Sequence, residues 1–195
     1  VDAIIAHLGS GSSITAVSNG KSVDTTMGFS PLDGVLMSTR SGEIDPQIPI
    51  YLLKHEHYSP EQLEDVLNNR SGLLGISGHA DMRDIWKNAQ EGSQRDQLAL
   101  EMLSYRIAYY INALKTAIHT PEAIVFTAGI GEKAWYVRKR VCEHLGISLV
   151  EAQNQENAEL ISDNSQTQIL VLPTDEQFQM HRQASEVLQD KQFKG

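Results

Sequence analysis

Apolar and polar positions change their period several times along the chain, and the changes mark its elements. Ala3–Leu8 is a short apolar run that stops at Gly9-Ser10-Gly11. Ser12–Val17 is rich in β-branched residues, Asn19-Gly20 is a two-residue hairpin signal, and Lys21–Met27 supplies the returning strand. Residues 28–44 have no period and contain Pro31 and Gly34. Asp45-Pro46 and Ser59-Pro60-Glu61-Gln62 then read as helix starts, the second with capping-box spacing. Residues 70–78 read as a glycine-punctuated loop, and Asp81 as the cap of a short helix to about Gln90. From Arg95 to His119 the apolar positions Leu98, Met102, Leu103, Ile107, Ile111, Leu114 and Ile118 follow a helical period. A strand at Glu122–Thr127, a turn at 128–131, a helix at Lys133–Leu145, a strand at Gln168–Leu172 and a helix from Thr174 to about Leu188 complete the order. Three hairpin-linked strands followed by alternating strands and helices predict an α/β domain: a mixed sheet covered by helices, in RNase H-like or actin-like order.

Length and charge narrow the picture. A chain of 195 residues fits one large domain, and 16 basic against 25 acidic side chains give a net charge of −9. That balance argues against nucleic acid as a partner. No apolar run reaches the roughly 20 residues that span a bilayer, so no membrane partner is expected. The single cysteine, Cys142, suits a reducing cytoplasm. The chain begins Val-Asp-Ala without Met, directly in a strand, as a piece of a longer protein would.

Three junctions carry glycine where a ligand could approach: His7-Leu8-Gly9-Ser10-Gly11, Ser77-Gly78 ahead of Asp81-Met82-Arg83, and Gly129-Ile130-Gly131-Glu132. Each also serves as ordinary turn chemistry, and none is a Walker A loop or a complete dinucleotide fingerprint. Arg40 lies among small residues, Ser38-Thr39-Arg40-Ser41-Gly42, a setting that suits bidentate contact with an anion or a plain surface loop. Asp81 and Arg83 also fit a cap and its charge pair, and Glu176 fits a first-turn acid. The histidines show no metal spacing. Arg138-Lys139-Arg140 reads as a solvated helix face and Cys142 as an inert core thiol.

Residues 3–16, 21–46, Ser77-Gly78 with Asp81-Met82-Arg83-Asp84, Phe126–Glu132 and Pro173–Glu176 together resemble, in order, the signature segments of the acetate kinases. The resemblance implies a domain of the acetate and sugar kinase, Hsp70 and actin superfamily. It implies phosphoryl transfer between ATP and a short-chain carboxylate such as acetate or propionate, giving acyl phosphate and ADP, with Mg²⁺ as cofactor and a homodimer as the assembly. By position, His7, Leu8, Gly9, Ser10 and Gly11 match the turn around the ATP phosphates. Asp81, Met82 and Arg83 match a nucleotide-contacting segment, and Gly129, Ile130, Gly131, Glu132 and Lys133 the adenosine-side turn. Arg40 matches the arginine that stabilises the transferring phosphoryl group, and Glu176 the carboxylate associated with Mg²⁺. Ser10, Lys133 and Gln177 depart from the family's Asn, Asn and Glu. The whole chain, 1–195, resembles the carboxy-terminal half alone. The amino-terminal half, which supplies an Asn, an Arg, an Asp and two His residues to the acyl site, has no counterpart. A one-walled cleft implies a half that does not turn over unaided. A nucleotide-binding or dimerisation module remains the alternative.

Overall fold

The computed structural model describes residues 1–163 and 166–192, so the final positions of the expected 1–195 domain, 193–195, lie outside the described residues. Five strands form one sheet in the order β3-β2-β1-β4-β5. β1 (Ala3–Leu8), β2 (Ser12–Ser18) and β3 (Lys21–Thr25) form the antiparallel meander, whereas β4 (Ala123–Thr127) and β5 (Gln168–Val171) add to β1 in parallel. Asn19 and Gly20 both take positive φ, 50° and 75°, the geometry that matches a hairpin's twist.

The period of two along the strands sets one sealed face. Ile4, Ala6 and Leu8 align with Ala16, Ile14 and Ser12 on one side and, for the first two, with Ile124 and Phe126 on the other. All eight are essentially fully buried. The 25-residue helix α5 (Gln94–Ile118) packs across this face, contributing Leu100, Leu103, Ile107, Ile111, Leu114 and Ile118 to the core. It is started by Ser93, whose side chain accepts from the Asp96 N–H. Leu98 and Met102, expected in the core stripe, are exposed; Ala99, Ser104 and Ala108 are inside instead, because the contact face admits small residues at close approach. The Ser59–Gln62 capping box is present at the start of α2 (Pro60–Asn69), preceded by α1 (Gln47–His55), at whose start the Asp45 carboxylate accepts from the Gln47 N–H.

Three elements differ from expectation. Residues 70–78 contain a helix, α3 (Gly72–Ser77), and the expected turn at 128–131 is the helix α6 (Ala128–Lys133). A short helix, α8 (Glu151–Gln155), was not signalled. The remaining helices, α4 (Met82–Gln90), α7 (Trp135–Leu145) and α9 (Glu176–Gln192), fall close to their expected places. Among the described residues no helix is long and apolar enough to cross a membrane.

Candidate nucleotide and phosphoryl site

The carboxyl ends of β1 and β4 lie side by side, His7 opposite Thr127, so the turns that follow them meet. Between those turns and α4 is a cleft of about 360 Å³, lined by Gly9, Ser10, Ser38, Ala80, Asp81, Met82, Arg83, Gly129, Ile130, Lys133, Ala134 and Tyr136. All three of the glycine-bearing segments singled out in the sequence therefore converge on one cavity. His7 and Glu132 are half-buried behind it, and Leu8 and Gly131 are buried. Leu8 belongs to the core, so only its backbone is left for a ligand.

The N-terminus of α4 forms one wall. The Asp81 carboxylate accepts from the Arg83 N–H at 2.9 Å and from the Arg83 guanidinium. Those hydrogen bonds hold the Asp81 carboxyl down at about 2. The pair is thus both the helix cap and the charge pair anticipated. Tyr136, not anticipated, closes the wall: its ring stacks on Trp86 at 4.1 Å between centroids, and its hydroxyl donates to the Met82 carbonyl at 3.2 Å. The sequence gives no signal for this, because Trp86 and Tyr136 lie on different helices.

A second cleft of about 380 Å³ continues from the first through Ser10, Ser38, Ala80 and Asp81, and adds Gly11, Thr39 and Arg40. The Ser38 N–H donates to the Ser10 carbonyl, so the Arg40 loop is tied to the glycine turn. Gly11 leaves the guanidinium its room: a β-carbon would stand 3.3 Å from Arg40 Nη1. That nitrogen meets only the Pro31 carbonyl at 3.4 Å and Met37 Sδ at 3.9 Å, and among the described residues no carboxylate pairs with Arg40. Its charge is therefore available to an anion. On its other side Arg40 borders a third, mainly apolar cleft of about 500 Å³ with Phe29, Pro31, Leu32, Leu53, Leu63 and Leu67.

The Arg40 loop is held by the helix that replaced an expected loop. Ser71, Leu73 and Leu74 donate their N–H groups to the carbonyls of Thr39, Met37 and Ser38. Backbone carbonyls thus do the capping at α3 that a side chain does at α2, α4 and α5.

Glu176 opens α9, is exposed and lines none of these clefts. Among the described residues no group of three or more acidic, His or Cys side chains could hold a metal. Glu176 also makes no hydrogen bond or ion pair there. A single free carboxylate fits the mode in which Mg²⁺ takes one or two protein oxygens and draws the rest from phosphate and water.

Arg138 overturns its expectation. It is fully buried, not on a solvated face, and its guanidinium donates to five oxygens. Cys142 is buried as expected, and burial pushes its thiol up to about 12.

The sheet order, and a cleft at the carboxyl ends of parallel strands, define an RNase H-like α/β domain of the kinase and actin type. Solved structures agree: an acetate kinase from Porphyromonas gingivalis (TM-score 0.90, 34% identity, 96% of this chain and 49% of that one) and a propionate kinase from Francisella tularensis (0.86, 40%, 89% and 46%). The model of the acetokinase family matches residues 1–182, and the chain belongs to that family. It is 46% identical over 194 residues to the acetate kinase of Carboxydothermus hydrogenoformans and 41% identical over 196 to that of Thermotoga maritima. The chain spans about half the length of these relatives, 49% in both cases.

Proposed function

We propose that this chain is the carboxy-terminal, nucleotide-binding half of a phosphotransferase that moves the γ-phosphoryl group of ATP to a short-chain carboxylate. The observation that carries the reading is the convergence of the Gly9-Ser10, Asp81–Arg83 and Gly129–Lys133 segments on one cleft, with an unpaired Arg40 in the cleft that adjoins it.

In this reading the nucleoside lies against Tyr136 and the turn of α6, and the phosphates run past Gly9, Ser10 and Gly11 toward Arg40. The bond from the γ-phosphorus to the ADP oxygen breaks as one to the carboxylate oxygen forms. Charge spreads over the equatorial oxygens, where a guanidinium is most effective. Arg40 then acts on the transition state more than on the bound nucleotide. Glu176 would hold Mg²⁺ in part, and the bound ion would supply further neutralisation of the phosphates. The apolar cleft beside Arg40 suits the alkyl end of the acceptor, whose other wall belongs to the missing half. The family's homodimer and its place in the cytoplasm are part of the same proposal.

The test is calorimetric titration of the 195-residue chain with ATP and ADP in Mg²⁺, alongside a hydroxamate assay for acyl phosphate. Saturable nucleotide binding without turnover is expected. Absence of binding overturns the reading, and full-speed acyl phosphate formation overturns its half-site clause. In a complete two-half protein, Arg40→Ala should lower turnover far more than nucleotide affinity.

A further inference from the structure

The five N–H donors of a guanidinium can all be satisfied without satisfying its charge, and Arg138 is such a case. Nε donates to Asn154 Oδ1 at 2.8 Å. Nη1 donates to the carbonyls of Gly131 and Glu132 at 2.8 and 3.0 Å. Nη2 donates to the Asn154 carbonyl at 2.6 Å and to Asn157 Oδ1 at 2.8 Å. Every acceptor is neutral, and among the described residues no carboxylate pairs with it. Burial pulls the guanidinium down to about 10, which leaves it charged at neutral pH.

The carbonyls of Gly131 and Glu132 belong to the turn whose Gly129, Ile130 and Lys133 line the cleft. Arg138 therefore stands one hydrogen bond behind the cavity wall. An uncompensated buried cation is costly, and it projects a field that low local polarisability screens weakly. Of the two cations that line the cleft, Arg83 is already paired with Asp81, so Lys133 and the buried Arg138 are its sources of positive charge. The chain carries a net charge of −9, so a local positive source matters for an anionic ligand.

We propose that Arg138 is a positioning residue of the nucleotide site that acts in two ways: it fixes the α6 turn, and its unpaired charge favours phosphate-bearing ligands over uncharged ones. This deepens the nucleotide reading and rests on it.

Asn157 allows the charge to be changed without moving the guanidinium. It is exposed and has φ 55°, a conformation that Asp tolerates as Asn does. Asn157→Asp keeps an acceptor for Nη2 and adds a counterion. In the 195-residue chain, ATP and adenosine affinities are measured by calorimetry for the unaltered protein, Asn157→Asp and the neutral control Asn157→Ala. Asn157→Asp is expected to weaken ATP binding by about threefold or more, by the size of a screened charge pair, with adenosine affinity unchanged and thermal stability equal or higher. Asn157→Ala is expected to leave the ATP-to-adenosine ratio as it was. An unchanged ratio in Asn157→Asp, or an equal shift in both variants, overturns the inference while leaving the nucleotide reading intact. Failure of the unaltered chain to bind any nucleotide overturns both.

Discussion

Tyr110 on α5 donates its hydroxyl hydrogen to Glu43, 2.6 Å away, and so anchors the loop that presents Arg40 to the longest helix of the domain. Arg106 completes the clamp, bonding both Glu43 and the Tyr110 oxygen while lying 5.0 and 4.9 Å from the Tyr109 and Tyr110 rings. Tyr110→Phe should lower stability by about 1 kcal/mol, the usual worth of one such bond. Urea denaturation measures this. A variant as stable as the parent would mean that Glu43 is held by Arg106 alone.

Gly72 sits where the same loop meets α3. Its φ is +61°, and a β-carbon there would stand 2.2 Å from the Met37 carbonyl oxygen and 2.7 Å from that of Arg40. Gly72→Ala should therefore cost about 3 kcal/mol or more, combining left-handed strain with a backbone clash. Thermal unfolding reads the loss. A small shift would show that the Arg40 loop can move aside.

Ala128 carries the opposite expectation. It has φ 63° at the junction of β4 and α6, a region unfavourable for any residue with a β-carbon. Ala128→Gly should stabilise the fold by about 1 kcal/mol. A fall in the unfolding midpoint would mean that the methyl group's packing outweighs the strain.

The acid limb of stability should show the lowered carboxylates Asp81 and Glu43. Hydrogen bonds from Arg83 lower Asp81 from 3.8 to about 2, and those from Tyr110 and then Arg106 lower Glu43 below 4.5. A group lowered on folding binds its proton more readily in the unfolded chain. Its contribution is complete above its ordinary value and is lost as the pH falls through the folded one. Asp81→Asn keeps an acceptor for the helix cap but removes the charge, so stability should fall near pH 6, where the ionised group contributes in full, and match the parent's near pH 2. The slope between about pH 4 and pH 2 should flatten. Stability measured against pH decides it, and an unaltered slope would remove Asp81 from the acid transition.

What the sequence made legible was local. The Asn19-Gly20 hairpin, the Ser59–Gln62 box and the Asp81 cap are set within a few residues, and their side chains meet the backbone groups their spacing predicts. The glycine segments also pointed to the cleft, because a strand end followed by glycine places a turn wherever the sheet order dictates. What was missed depends on distant partners. Gly72 and Gly75 read as breakers, yet α3 forms because the carbonyls of 37–39 satisfy its first N–H groups. Arg138 reads as surface from its charged neighbours; only Asn154, Asn157 and the end of α6, brought around it by tertiary structure, make burial tolerable. Leu98 and Met102 follow the helical period, but the face pressed on the sheet is offset from them.

The pairing of β1 with β4 joins Ala3 to Ala123 and has a consequence for synthesis. The meander β1–β3 is complete by Thr25, yet its apolar face, with Ile4, Ala6 and Ile14, meets its cover only when α5 at 94–118 is made. Its inner edge stays unpaired until β4 follows. Contacts so distant in sequence form slowly. During translation the three strands of the meander wait as an exposed edge with a sticky face, so the nascent β1–β3 segment is one that a holding chaperone would protect.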